Sequence, residues 1–509
     1  MKYFYERSTI TDKTNPVNKT YDEILSMNQE EIDSWIDDLR KDVIDRWDND
    51  GTPPVIGKNE QQIINSWKKL KDYDTSKFWF NDDNSLGVIK NFSKQASGIN
   101  QFFPTMLKTK ISTGISSENA KSIYDSFKDD DLRENFKKSI MRSIRRDSMY
   151  SYSKCIKKDD INVESLKELF LNYKDNDDEG VFILRHKHNT PVYSNSDYKY
   201  VTIKSDEIRV LYKAGIITDK MISNIEVPVD ELCEKFNLKN GDVRYWVHLI
   251  RVYKKDTRIF PAALQVFRLS LGQPAVNFPP LTAKFLYEKY TEHIDGDLVI
   301  YDPSSGWGGR ILGAMCSNRK IHYIGTDPNP DNYDPINRYE YVAKFFHQNC
   351  GNKFIGEDDN TYEVHMNGSE DFDFGDYSGK LDFIFTSPPY FNREQYSQDE
   401  NQSFKKFSQY EDWRDNFLKP TLTNCFKNLK NDRWLAWNIA DIKVGNDKFV
   451  PLEQDSINIL ENLGMKYKGK IKMLMTRMMG IKPKDVKNSV KIDGTYYKYE
   501  PILMFYKDK

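Results

Sequence analysis

Cysteine is sparse in this 509-residue chain and never comes in pairs. Cys155, Cys233, Cys316, Cys350 and Cys425 stand singly, with no CxxC spacing and no Cys/His cluster. That argues against a structural zinc site or a disulfide framework and fits a reducing compartment, so no metal is expected. Long hydrophobic runs are missing, which leaves nothing to span a membrane. The N-terminus, MKYFYERSTI, is too charged for a signal peptide, and the expectation is a soluble, cytoplasmic protein without a membrane partner. Strong net charge is missing as well: 75 Lys and Arg against 77 Asp and Glu give −2. No global basic field advertises nucleic acid, so such a partner would have to be met by a local patch.

What is present supports folding. Hydrophobic residues make up 38% and aromatic ones 14%, enough for more than one packed core and too much for wholesale disorder. From about Phe278 onward, short β-type runs alternate with helical stretches: DLVIYD, IHYIGTD, YEVHMNG, LDFIFTS, RWLAWNI, KIKMLM and EPILMFY. The alternation predicts βαβ units around a mainly parallel, seven-stranded sheet. Before that, the texture is Lys-, Asp-, Asn- and Ser-rich with helical spacing, as in EEIDSWIDDLRKDVIDRW, broken by loop signals such as DNDGTPP. The expected organisation is a mostly helical N-terminal region over 1–265 and an α/β, Rossmann-like domain over 266–509.

Three strand ends carry a nucleotide-type pattern. DLVIYDPSSGWGGRILGA reads as strand, glycine-rich turn and helix start, and Gly306, Gly308 and Gly309 would let backbone approach a ligand. An ordinary tight turn would look the same. The next strand ends in Asp327, about twenty residues on, where a carboxylate could accept from both hydroxyls of a ribose or merely cap a helix before Pro328. The third, YEVHMNGSEDF, offers Glu370 and Asp371 as adenine contacts, one of them more readily a solvated loop acid. The turn lacks G-x-x-x-x-G-K-[ST], which disfavours a P-loop ATPase. Together the strand ends describe an adenosine pocket at a topological switch point.

The fourth strand brings DFIFTSPPYF to the same edge. Neither proline can donate to a ladder, so the strand must stop near Thr386. A stiff, donor-poor, aromatic corner suits methyl transfer onto an exocyclic base amine, whose lone pair is delocalised into the ring. Acceptors that hold the amine hydrogens favour a tetrahedral nitrogen. The Ser387 oxygen and the Pro388 carbonyl could be those acceptors, with the carbonyl aimed by locked φ angles. Tyr390 offers a face for an extruded base, worth roughly 1–3 kcal/mol of stacking.

With these residues the chain resembles the DNA amino-methyltransferases that use S-adenosylmethionine, whose quartet is Asp, Asn or Ser, then Pro-Pro, then Tyr or Phe. Ser387, Pro388, Pro389 and Tyr390 match it in full, and are the expected catalytic residues. The glycine turn and Asp327 match the family's cofactor loop and ribose acid, and NFPPLTAKFLYEKY resembles its cofactor-side helix. The resemblance implies cofactor contacts from Phe278, Asp302, Ser304, Gly306, Gly308, Asp327, Glu370 and Thr386. It implies double-stranded DNA as partner, with a cognate restriction endonuclease a further candidate. Serine in the first quartet position tilts the target toward cytosine over adenine. Pro303-Ser304-Ser305 replaces the usual aromatic before the glycines, and no long insertion separates the third and fourth strands. Recognition is therefore expected from the N-terminal region. Ring-carbon methylation is disfavoured because no cysteine follows a proline.

Two N-terminal segments could contribute. VPVDELCEKFNLKNGDVRYWVHLIR, Val227 to Arg251, has the rhythm of a helix-turn-helix with Arg244 outward, or of a helical hairpin. FKKSIMRSIRRDSMYSYSKCIKK, Phe136 to Lys158, interleaves Arg145, Arg146 and neighbouring lysines with Tyr150 and Tyr152, as a phosphate-binding patch or a solvated helix face. Alternatives to DNA methylation are transfer to an RNA base or protein amide, and a non-catalytic DNA-binding protein on the same fold.

Overall fold

The computed structural model describes residues 17–20, 23–24, 26–50, 60–82, 84–89, 98–111, 122–147, 149–157, 180–186, 244–252, 275–334, 337–350, 362–444, 448–477, 488–492 and 495–508. The chain divides into two compact units, one of residues 1–9, 43–133 and 268–509, the other of residues 10–42 and 134–267. The expected N-terminal region is thus split, and its 43–133 portion joins the α/β unit.

Strands β1 (Trp79–Phe80), β2 (Gly87–Ile89) and β3 (Lys110–Ile111) come first in the chain. In the second unit, β4 (Met149–Lys157), β5 (Gly180–His186) and β6 (Arg244–Val252) form an antiparallel sheet ordered β4-β6-β5. This corrects the helix-turn-helix reading: the stretch expected to be its second helix is strand β6, paired residue by residue from Met149↔Val252 to Lys157↔Arg244. RYWVHLIRV is dense in aromatic and β-branched residues, which pack better on a pleated surface than along a helix. The rest of that segment, 227–243, lies outside the described residues. Helical spacing does hold at Gln29–Asp50, Glu60–Lys71 and Arg133–Asp147, so helix predominates among the described residues of this region, with β4, β5 and β6 added to it.

In the first unit all seven apolar runs are strands of one sheet: β7 (Leu298–Asp302), β8 (Ile321–Thr326), β9 (Tyr362–His365), β10 (Leu381–Thr386), β12 (Leu429–Asn438), β15 (Lys466–Arg477) and β17 (Thr495–Lys507). Between them lie β11 (Glu394–Gln395), which pairs with β3, and the hairpin of β13 (Ile442–Val444) and β14 (Lys448–Val450). The order is β1-β2-β15-β17-β12-β10-β7-β8-β9, with β16 (Ser489–Ile492) on β17. The core strands run parallel, and β17 inserts antiparallel between β12 and β15. This is a Rossmann-like α/β sheet extended at one edge by two short N-terminal strands.

The runs are apolar throughout because both faces are covered. Phe383 and Phe385 point to a core shared with helices Glu60–Lys71, Pro280–Lys289, Gly309–Cys316 and Arg338–Cys350. Ile384 between them points to the opposite core, with Trp413, Leu422 and Leu460. Residues 43–133 are bound in by polar contacts too: the wholly buried Lys284 donates to the Leu70 carbonyl at 3.0 Å, capping the end of Glu60–Lys71. Among the described residues no helix is long and apolar enough to cross a membrane.

Candidate active site

Strand β7 ends at Asp302, and the chain turns through Ser304, Ser305 and Gly306 into helix Gly309–Cys316. Gly308 caps that helix at φ +75, and the Phe103 ring lies so close that an added Cβ would sit 2.7 Å from it. Only glycine satisfies both conditions. Asn277 holds the turn from the far side, its Oδ1 accepting from the Gly309 amide at 3.2 Å and its Nδ2 donating to the Trp307 carbonyl at 2.7 Å.

Parallel pairing brings the carboxyl ends of β7, β8 and β10 together around a cavity of about 460 Å³. Its wall contains Phe278, Ser304, Gly306, Asp327, Glu370, Ser387, Pro388, Pro389 and Tyr390. The glycine turn, the ribose acid and the proline quartet thus share one chamber, of the size usual for a cofactor site.

Three expected cofactor contacts are absent from that wall. Asp302 is wholly buried beneath it, accepting from Arg310 Nε at 2.8 Å, Thr386 Oγ1 at 2.7 Å, the Tyr323 hydroxyl and the Ser304 amide. It ties the ends of three strands to the glycine turn, and Thr386 is one of its partners. Gly308 lies under Phe103. These three shape the wall from behind; a strand-end carboxylate beside a buried helix arginine is held by that arginine before any ligand. Arg145 and Arg146 lie on helix Arg133–Asp147 and Arg244 opens β6, all outside the unit that contains the cavity.

Asp327 stands on the wall with its carboxylate accepting from the Gly306 amide at 2.9 Å, the Asn329 amide at 2.8 Å and the Tyr339 hydroxyl at 2.9 Å. Burial pushes its carboxyl up to about 6, against the pull of those three donors. A ribose donates to the ionised form. Affinity for an adenosine cofactor is therefore expected to strengthen as pH rises toward about 6 and to level off above it. Calorimetric titration from pH 5 to 8 checks this, and a flat profile would remove Asp327 from the contact.

The polar groups around the chamber fit an adenosine cofactor carrying an amino acid. Among the described residues, Glu370 Oε2 and Asn438 Oδ1 are buried acceptors without a hydrogen-bond partner, and Gln402 Nε2 is a buried donor without one. All three residues line the cavity. Unsatisfied buried groups in a native fold call for a partner, and adenine, ammonium and carboxylate groups supply both kinds.

Sequence reasoning missed Asn277, Trp307, Glu394, Tyr396, Asn438 and Glu500, all on the wall. Glu500 was visible as the one acid in YEPILMFY, and Asn438 as the polar end of RWLAWN. In space, the Tyr390 hydroxyl donates to Glu500 Oε1 and lies 3.4 Å from the Asn438 carbonyl oxygen.

Residues 381–509 match a family model, of N6/N4 type, described as DNA methylase. The match spans about a quarter of the chain and begins at the strand that carries the quartet. No curated protein matches. Among solved structures, a TehB-like SAM-dependent methyltransferase from Corynebacterium glutamicum is 14% identical, covering 46% of this chain and 90% of its own, at a TM-score of 0.26. A SAM-dependent O-methyltransferase from Thermotoga maritima is 11% identical, covering 53% and 76%, at 0.26. A Thermus thermophilus protein with the provisional name DNA modification methylase, complexed with S-adenosyl-L-methionine, is 21% identical, covering 26% and 49%, at 0.19. With TM-scores this low the three say nothing about residue roles here.

Proposed function

We propose that the protein methylates the exocyclic amine of a base at specific sites in double-stranded DNA, cytosine in preference to adenine, starting from the match of residues 381–509 to the DNA methylase family model of N6/N4 type. The methyl donor is S-adenosylmethionine, which supplies an electrophilic methyl group on a sulfonium. Asp327, the Gly306 backbone, Phe278 and Glu370 would hold it. Ser387 and the Pro388 carbonyl accept the amine hydrogens, and the Tyr390 ring carries the extruded base. Transfer of this kind needs alignment more than acid–base power.

The observation that carries this reading is the single cavity with Gly306 and Asp327 on one wall and Ser387 and Tyr390 on another. Target recognition is assigned to the unit of residues 10–42 and 134–267, which holds Arg145, Arg146 and Arg244. Serine in the first quartet position favours cytosine.

Expression in a methylation-free host, followed by sequencing sensitive to modified amines, tests it. The expected result is N4-methylcytosine within one short motif. N6-methyladenine would overturn the base preference alone. Unmodified DNA, with methyl groups transferred instead to folded RNA or protein by the purified chain, would overturn the DNA reading.

A further inference from the structure

Asp in the first quartet position can take up and keep a proton; serine can only pass one on while giving up its own, because its hydroxyl is no base near neutral pH. When a base amine gains a methyl group it must shed one N–H proton, so a serine enzyme needs a proton acceptor elsewhere. Three side chains on the cavity wall provide one.

The Ser387 hydroxyl hydrogen-bonds the Tyr390 oxygen as donor. The Tyr390 hydroxyl in turn donates to Glu500 Oε1. With both hydroxyl hydrogens turned away from the chamber, the Ser387 lone pairs are left facing it. Glu500 enters from β17, opposite Met473 of β15, which carries no charge. Around Glu500 stand Tyr390 from the quartet loop, Glu394 from β11 and Lys498 from its own strand. Glu394 is bonded by the Tyr396 hydroxyl, while the Tyr390 hydroxyl goes to Glu500.

Building on the methyltransferase reading, we propose that Ser387, Tyr390 and Glu500 form a proton relay that removes the amine proton during methyl transfer. The methyl carbon leaves sulfur, which keeps the bonding pair as a neutral thioether, and bonds to the base nitrogen. One N–H bond breaks as its proton passes to Ser387 Oγ. The Ser387 hydroxyl proton moves to Tyr390 Oη, and the Tyr390 proton moves to the Glu500 carboxylate, which later returns it to water. Charge balances, and nothing is oxidised or reduced. Burial, and then the charge of Glu394, raise the Glu500 carboxyl above the ordinary range against the Tyr390 hydrogen bond, making it a stronger base once ionised. Tyr390 and Glu500 thus have a task beyond stacking, one that phenylalanine in the fourth position could not perform.

The test compares wild type, Glu500→Gln and Tyr390→Phe in single-turnover transfer at saturating cofactor, with DNA from a methylation-free host as acceptor. In wild type the rate should rise with pH through the Glu500 titration and then level off. Both variants should lose about ten- to a hundredfold in rate and lose that rising limb, with KM for DNA within about twofold because the ring is kept. A second readout needs no turnover: cofactor-free wild type should show an infrared carboxyl band titrating above ordinary glutamate, absent in Glu500→Gln. Should Glu500→Gln fail to fold, Tyr390→Phe decides alone. A variant that keeps both rate and limb while wild type transfers methyl overturns the relay and leaves methyl transfer standing. No transfer by wild type overturns the methyltransferase reading, and the relay with it.

Discussion

Asp302→Ala is expected to destabilise the first unit by about 3–5 kcal/mol, the usual cost of stripping one partner from a buried ion pair. The reason is the number of groups that depend on one carboxylate. Arg310 is 5% exposed at its side chain and would keep its charge in a largely apolar setting, with the Ser304 carbonyl and the Phe278 ring as the contacts left to it among the described residues. Thr386 would lose its acceptor, Tyr323 would keep only its longer 3.3 Å bond to Ser305 Oγ, and the Ser304 amide would lose its turn contact. Thermal unfolding followed by calorimetry reads the loss as a fall in Tm of about 4–7 °C for a unit of this size. The double variant Asp302→Ala with Arg310→Met should recover part of it, because the orphaned guanidinium is the costly element. An unchanged Tm in the single variant would mean that Arg310 finds full compensation elsewhere.

Ser387→Ala is expected to lower single-turnover methyl transfer by about 100-fold or more, the scale seen when one preorganised hydrogen-bond partner of a transition state is removed. The side chain is small and sits after the last residue of β10, so folding and cofactor affinity should stay near wild type. Rapid-quench assays with labelled donor measure the rate, and a thermal scan checks the fold. Normal transfer by this variant would end the role assigned to the quartet's first position. Tyr390→Ala is a harsher change than a solvent-facing aromatic would suggest. It removes roughly 1–3 kcal/mol of stacking and also strips Glu500 of its donor. Tyr390→Phe separates the two losses.

Much of this was readable in the chain itself, for a physical reason. Strands buried on both faces carry near-continuous apolar runs, so the apolar stretches within β7, β8, β10, β12 and β17 announce themselves without a partner in view. The proline corner announces itself by what two consecutive imides forbid. Asn277, Asn438 and Glu500 could not be found this way. Asn438 reaches the chamber through the register Asn438↔Ile502, and Glu500 through Met473↔Glu500; both pairings join segments far apart in the chain. Asp302 carried the right residue type at the right strand end, yet Arg310 claims it, a contact that sequence spacing alone does not rank above a ligand. In β6, aromatic and β-branched residues fit either a buried helix or a strand over so short a run. The two-residue β1 and three-residue β2 are below any periodic signal.

The addition of β2 alongside β15 bears on how such a gene can change. A recombination joint placed at residue 267, just before the segment that supplies most strands of the large sheet, would sever the pairing Ile471↔Gly87 through Met473↔Ile89 and the cap that Lys284 provides to Leu70. The transplanted cassette would carry a raw sheet margin, the kind of edge along which separate chains zip together. A joint pair at 133 and 268 would leave those contacts whole, since both flanks of 134–267 belong to the first unit, but it would part that segment from residues 10–42, to which Lys137 is tied through Asp33.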